Sequence, residues 1–379
     1  MFGKRFKLFT LFGFDVSIDM SWLLIAFLVT WSLASGFFPQ QYPDLSRPTY
    51  WIMGVLGAVG LFLSIIFHEF WHSILARSYG MPMHGITLFL FGGVSEMHDE
   101  PPNAKVEFQV AVVGPISSVV LGFIFAGLLQ TGRYWGWPAH VNGLIGYLAL
   151  INWIVAIFNL LPAFPLDGGR ILRAAIWKWK GDLRQATKTV STIGGFFGIA
   201  LIILGILNML TGRVVGGMWY VIVGLFIRGA AHMGYRQLMV RRVLQGRKVA
   251  RHMREEPVTV PSSLTVRQLV EEYMYKYHFK MFPIMDDGRL QGCVTSKDVK
   301  GLERAEWDRR IVAELASGCS EENTVRSDTD MMEAMNIMNR TGNSRLMVVD
   351  QGKLSGVIAM KDIMAFLSTH MELEGEEAW

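Results

Sequence analysis

A chain of 379 residues is long enough for two or three domains, and at 51% hydrophobic, with 12 Trp and 24 Phe, it is too apolar to be soluble throughout. The formal net charge of +4 is small, and the basic residues lie beside apolar runs, which marks them as topology signals and argues against a nucleic-acid surface. Only Cys293 and Cys319 are present, which excludes a disulfide framework and a thiolate zinc site.

After a basic start, Phe6 to Ile18 alternates loosely and reads as a short strand pair. No small-residue cleavage site follows, so the first apolar run, Met20 to Phe38, reads as an anchor and a first membrane span. Pro39, Pro43 and Pro48 then break the chain. Span two runs from Trp51 to Ala76 and stops at Gly80-Met81-Pro82. Residues 84–96 are too short to span and too apolar for a solvated loop. With strand-like residues flanking Gly92-Gly93, they read as a re-entrant β-hairpin that dips back toward the membrane. Span three covers Val106 to Leu129 and contains Gly114-Pro115. Span four, Val141 to Leu161, ends in a stretch with two prolines and two glycines that must unwind the helix. Leu172 to Trp179 reads as an interfacial helix, and spans five and six are Ile193 to Leu210 and Met218 to Ala231. Lys and Arg crowd one side of these six spans (Lys4 to Lys7, Arg77, Lys105, Arg170 to Lys188, Arg228 to Arg242). The other side has only Arg47, Arg133 and Arg213, so both termini are expected in the cytoplasm.

Beyond Arg236 the composition becomes that of a soluble protein, with an internal repeat. Arg289-Leu-Gln-Gly292-Cys-Val-Thr295-Ser-Lys-Asp298-Val returns about 64 residues later as Lys353-Leu-Ser-Gly356-Val-Ile-Ala-Met-Lys-Asp362-Ile. An apolar strand and a helical stretch precede each copy, so two α/β units in tandem are expected. Met331, Met332, Met335 and Met338 are at helical spacing and read as packing. The expected layout is a membrane domain over 1–238, a basic linker over 239–248, two α/β units over 249–305 and 306–370, and a disordered acidic tail over 371–379.

The chemistry is concentrated in span two. His68-Glu69-Phe70-Trp71-His72 places two imidazoles one turn apart on one helix face, with a carboxylate directly after the first: the H-E-x-x-H zinc-hydrolase pattern. Ionisable side chains inside an apolar helix are costly, so the default reading is a functional site. A catalytic zinc needs a third protein ligand and leaves a fourth position for water. Asp167 is the candidate. It follows the broken end of span four, and Gly168 and Gly169 allow close backbone approach. Glu69 is the expected general base and Asn159 an expected hydrogen-bond donor to a developing oxyanion, in hydrolysis of a peptide carbonyl. A helical substrate must unwind to expose that bond, and the hairpin offers an edge for strand addition. Two other classes stay open. A gated transporter would pass metal through His68, His72 and Asp167, and a scaffold would hold no zinc; neither needs Glu69.

The H-E-x-x-H helix followed by Asn159-Leu-Leu-Pro162-Ala-Phe-Pro165-Leu-Asp167-Gly168 resembles the site-2 protease family of intramembrane zinc metalloproteases (peptidase M50-like), and Gly114-Pro115-Ile-Ser-Ser118 resembles that family's third-helix motif, with Ser118 where an Asn is often found. The tail repeat resembles a tandem pair of cystathionine-β-synthase (CBS) domains. Together the resemblances imply a multi-pass α-helical membrane domain of six transmembrane helices plus a soluble α/β CBS pair, in the cell (inner) membrane. They imply one zinc per chain and cleavage of a membrane-tethered protein, such as a transcription regulator or anti-sigma-type factor, within or near the bilayer. They imply that the CBS pair binds an adenine nucleotide (ATP, ADP or AMP), tunes activity and forms a homodimer, with no direct nucleic-acid contact. The family's Gly-x-x-Thr-x-x-Asp signature carries over to Thr295 and Asp298; in the second copy Asp362 matches, but Ala359 stands where the hydroxyl belongs.

Overall fold

The computed structural model describes residues 5–81, 83–89, 92–97 and 100–374. The chain divides into two compact units, Met1–Arg236 and Gln237–Trp379.

The first unit opens with the expected strand pair, β1 (Arg5–Leu11) and β2 (Phe14–Asp19), antiparallel about Phe12-Gly13. Helix α1 (Ser21–Ser32) passes through a π-helical turn, Leu33–Phe37, into α2 (Phe38–Gln41). Pro39 falls in the first turn of α2, where a missing N–H forfeits no helical hydrogen bond. Helix α3 (Arg47–Ser78) starts at Ser46, whose hydroxyl accepts from Thr49 N, and has Pro48 in its first turn. It ends just before Gly80, which takes a φ of 75°.

Strands β3 (Met83–Phe89) and β4 (Gly92–Met97) complete a four-stranded sheet of order β1-β2-β3-β4, in which β2 and β3 run parallel. The hairpin expected over 84–96 is therefore present, but Gly92 and Gly93 open β4 opposite Phe89 and Leu88 and do not form the turn. Strand pairing uses only N–H and C=O groups, so two glycines are tolerated at a strand end. The connecting residues 90 and 91 lie outside the described ones.

The remaining helices are α4 (Ala104–Tyr134), α5 (Ala139–Asn159), α6 (Asp167–Lys180), α7 (Leu183–Leu210) and α8 (Val214–Leu244). Asn103 caps α4 by accepting from Val106 N, and Asp182 caps α7 by accepting from Arg184 N. Among the described residues, six helical stretches are long and apolar enough to cross a bilayer: Trp22–Gln41, α3, α4, α5, α7 and α8. Helices α7 and α8 outrun the apolar stretches expected at Ile193–Leu210 and Met218–Ala231. Hydropathy marks the immersed stretch, whereas the backbone ladder continues into polar flanks.

In the second unit, the repeat seen in the sequence is a repeat in space. Strand β5 (Met281–Asp286) pairs antiparallel with β6 (Arg289–Thr295), with Ile284 opposite Gly292 and a register shift just after Ile284. After the short β7 (Thr324–Val325), β8 (Arg345–Asp350) pairs with β9 (Lys353–Ala359) in the same way, with Val348 opposite Gly356. A Cβ on Gly356 would sit 3.0 Å from Met253 Sδ and closer still to the Arg254 carbonyl, so the glycine lets a neighbouring segment lie flat on the strand. Met331, Met335 and Met338 are buried in the core, as their spacing implies. Residues 239–244, expected in a linker, are helical: α8 continues to Leu244, and Val243 and Leu244 pack into that core because they are apolar. A last helix, Met360–Leu373, takes up the start of the acidic tail, of which residues 375–379 lie outside the described ones.

Candidate metal centre

Three side chains from far apart in the sequence meet inside the first unit. His68 Nε2 lies 2.9 Å from Asp167 Oδ2, His72 Nε2 lies 3.1 Å from the same oxygen, and the two Nε2 atoms are 3.2 Å apart. All three residues are buried, with relative exposures of 3%, 2% and 7%.

Each histidine is steered by α4. His72 Nδ1 is 2.6 Å from the Val110 carbonyl, and His68 Nδ1 is 2.9 Å from Ser118 Oγ. A carbonyl only accepts, so His72 Nδ1 carries the proton and its Nε2 presents a lone pair. The Ser118 hydroxyl can accept from His68 Nδ1 in the same way, which leaves that ring's Nε2 free for a cation. Gly114 lies between these two supports. A Cβ there would overlap His72 Nε2 and lie 2.6 Å from His68 Nε2, so α4 approaches the rings as closely as it does because residue 114 has no side chain. One residue on, Pro115 has no N–H to offer the Ala111 carbonyl, so one rung of the helical ladder is missing at this level although the helix runs on to Tyr134.

Asp167 arrives from the other direction. Helix α5 ends at Asn159, and residues 160–166 unwind before α6. Asp167 is the first residue of α6, but Leu166 occupies the cap position and no side chain caps the helix. The Asp167 carboxylate therefore faces the imidazoles and is not spent on capping. Beside it, a Cβ on Gly168 would collide with the Leu160 carbonyl, and one on Gly169 with Phe164 N, so the two glycines allow the chain to fold back tightly.

Two imidazole nitrogens and a carboxylate oxygen thus crowd one small space, and with the ring protons on Nδ1 all three are acceptors, which is a donor set for a cation. A tetrahedral zinc with bonds of about 2.0–2.1 Å needs ligand atoms roughly 3.3 Å apart. The observed separations of 2.9, 3.1 and 3.2 Å are within a few tenths of that, and these residues fit zinc.

Glu69 is half-buried on α3, directly after His68. Asn159 is engaged elsewhere: its Nδ2 donates to the Val155 carbonyl at 3.0 Å, one turn back in its own helix. Ser118 and Val110 are the partners the sequence did not expose. The Ser118 hydroxyl lies in the Gly114-Pro115-Ile-Ser-Ser118 stretch, which singled it out without a role. A backbone carbonyl such as that of Val110 leaves no trace in a sequence.

In the second unit, the Thr295–Asp298 pair is bonded internally. Asp298 Oδ2 accepts from Thr295 N at 2.8 Å and from Thr295 Oγ1 at 2.7 Å, which caps the short helix Ser296–Lys300. A cavity of about 120 Å³ is lined by both copies, with Arg254, Val258 and Phe279 from the first and Arg345, Lys361 and Asp362 from the second. Ala359 has no hydroxyl with which to bind Asp362, and Asp362 Oδ1 sits 4.0 Å from Arg254 Nη2. Three cationic side chains, Arg254, Arg345 and Lys361, outnumber the two carboxylates of Glu256 and Asp362 in the lining, which suits the cavity to an anionic ligand. Burial lowers the Arg345 pKa from its ordinary value, so desolvation already raises the cost of its charge there.

The model of Peptidase family M50 matches residues 56–134 and 136–210, and the CBS domain model matches residues 248–303 and 313–369. Among curated relatives, the candidate zinc metalloprotease Rip3 of Mycobacterium tuberculosis is 30% identical over 360 residues, covering 94% of this chain and 91% of its own. A zinc metalloprotease of Methanocaldococcus jannaschii is 30% identical over 321 residues, covering 83% of this chain and 86% of its own. The solved structure of the site-2 protease from Methanocaldococcus jannaschii is 27% identical, covers 61% of this chain and 94% of that one, and superposes with a TM-score of 0.45. With the H-E-x-x-H helix and six apolar helices in place, the chain belongs to peptidase family M50 as a multi-pass zinc metalloendopeptidase of the site-2 protease type, carrying a tandem CBS pair.

Proposed function

We propose that this chain hydrolyses a peptide bond of a membrane-tethered protein, a transcription regulator or anti-sigma-type factor, within or near the bilayer, in regulated intramembrane proteolysis. The observation that carries the reading is the convergence of His68 Nε2, His72 Nε2 and Asp167 Oδ2 in a buried space, at the helix that also carries Glu69. In this reading those three side chains hold one zinc ion. Zinc held there supplies a Lewis acid that lowers the pKa of water toward about 7. Glu69 accepts the proton from the attacking water and returns it to the leaving amine. Asn159 serves as an oxyanion donor once its amide leaves the Val155 carbonyl. The substrate unwinds and adds as a strand to the edge of the β3–β4 hairpin, which re-enters the membrane in this reading.

The CBS pair tunes cleavage by binding an adenine nucleotide. Two features favour the Asp362 cavity over the Thr295–Asp298 pair: Arg254, Arg345 and Lys361 gather around it, and the Asp298 carboxylate is already bonded to Thr295. Both termini face the cytoplasm of the cell (inner) membrane, on the Lys and Arg distribution, and paired tails form a homodimer.

Quantitative proteomics of membrane fractions tests the activity. Cells carrying Glu69→Gln should accumulate one or more tethered proteins uncut, while the purified variant keeps its zinc. Cleavage at the wild-type rate by Glu69→Gln would refute the assignment and favour metal passage, which has no use for a general base.

A further inference from the structure

Away from the three converging side chains, α4 and α6 share a second buried cluster that the chemistry above does not use. Glu107, one turn before Val110 on α4, is fully buried. Arg173 on α6 is 6% exposed and reaches it: Nε donates to Glu107 Oε1 at 2.5 Å, and Nη2 contacts the same oxygen. Nη2 also lies 3.4 Å from Glu100 Oε2, and the guanidinium carbon sits 5.5 Å from the centre of the Phe164 ring, in the loop that leads to Asp167.

A buried ion pair of this kind is a poor explanation of stability, because removing two charges from water offsets most of their attraction. Here the pair is also incompletely satisfied: Glu107 Oε2 makes no hydrogen bond among the described residues. Its best-attested use is to set register, and register is what α6 must have. Asp167 has to meet two imidazoles that α4 already aims through Val110 and Ser118. A one-residue slip of α6 would carry Asp167 about 1.5 Å along the helix and turn it by roughly 100°. Close backbone contacts at Gly168 and Gly169 hold the start of α6 against residues 160–164, but they make no bond to α4. Arg173 supplies that bond, and between the two points Arg170 Nη1 lies 3.7 Å from Asp167 Oδ1.

We propose that Arg173 is a positioning residue: its fork on Glu107 fixes the rotation and height of α6 against α4, so that the Asp167 carboxylate meets His68 and His72. The proposal rests on reading those three side chains as metal ligands. Glu107 on α4 then belongs to the same alignment frame as Val110 and Ser118, and one helix aims all three ligands.

The test uses the full chain in detergent, stripped of metal and titrated with zinc against a competing chelator, with the thermal midpoint of the metal-free protein read in parallel. Single replacements leave a buried charge alone and can fail to fold, so the informative variants are doubles. Glu107→Leu/Arg173→Met replaces the pair by apolar side chains. It should keep the wild-type midpoint or raise it, yet bind zinc at least tenfold more weakly. The exchange Glu107→Arg/Arg173→Glu, made together with Glu100→Gln so that the moved carboxylate does not face the Glu100 charge, should recover zinc affinity to within about threefold of wild type, because the fork is re-formed in reverse. An apolar pair that binds zinc as wild type does overturns the proposal. So does a loss of affinity that tracks a fallen midpoint and is not recovered by the exchange, which would make the pair merely structural. If the wild-type chain itself takes up no zinc, the reading of His68, His72 and Asp167 fails, and the proposal fails with it.

Discussion

Replacing Gly114 by Ala probes the metal centre without touching any ligand. The added carbon would lie 2.6 Å from His68 Nε2 and overlap His72 Nε2. Non-bonded contact needs about 3.5 Å, so the rings or α4 must yield by ~1 Å. Functional groups have to be held to roughly 0.5 Å, and a displacement of about 1 Å costs on the order of 10²-fold in rate, or ~2.7 kcal/mol. Zinc affinity should fall by about 10- to 100-fold, as it does when the supports of metal ligands are disturbed. Helix propensity acts in the opposite direction, since Ala favours a helix interior by ~1 kcal/mol over Gly, so any loss reports crowding at the site. The assay pairs chelator-competition zinc binding with cleavage of a single-pass substrate in vesicles. If Gly114→Ala bound zinc and cleaved at wild-type levels, the rings would not be packed against α4, and close approach at Gly114 would not shape the site.

Other consequences are open to measurement. Ser118→Ala removes the partner of His68 Nδ1 and should lower zinc affinity by ~10-fold or more with little change in folding, read by the same competition assay. Calorimetry of the full chain with ATP, ADP and AMP should show Asp362→Ala weakening binding more than Asp298→Ala does; the reverse order would return the ligand to the first repeat. Burial pushes the Cys293 thiol up to about 11, so iodoacetamide at pH 8 should label the exposed Cys319 and spare Cys293 until urea opens the tail. The folded pKa of Cys293 is raised, so its contribution to stability is complete below the unfolded value of about 8.5 and is lost as pH climbs toward 11. Cys293→Ala should flatten that alkaline decline, as followed by urea titration.

Much of this molecule is legible in the amino-acid sequence, and the legible parts share a cause. The six apolar stretches were visible because a bilayer imposes length and hydropathy locally, residue by residue. The His68–His72 pair was visible because a helical turn brings i and i+4 together whatever surrounds them. Asp167 was a fair candidate because two prolines and two glycines had to break the helix before it. The tandem tail units were visible because a repeat is a property of order along the chain.

What stayed hidden depends on contacts between segments with no sequence relation to each other. Nothing local says that Val110 offers a backbone oxygen to His72, that Ser118 backs His68, or that Gly114 must be bare because two rings lie on it. Asn159 carries the same letter whether it points at a substrate or donates back to Val155, and only packing chose the second. Likewise Thr295 and Asp298 match the better-preserved signature, yet they bond to each other, and the cavity opens beside Asp362, where Ala359 left a carboxylate with no hydroxyl to engage it. The pattern of residues along the chain was enough for composition, spans, repeat and donor types. The partners of each donor required the folded chain, because a hydrogen bond or steric gap between α3, α4 and α6 is set by helix placement rather than by neighbours in sequence.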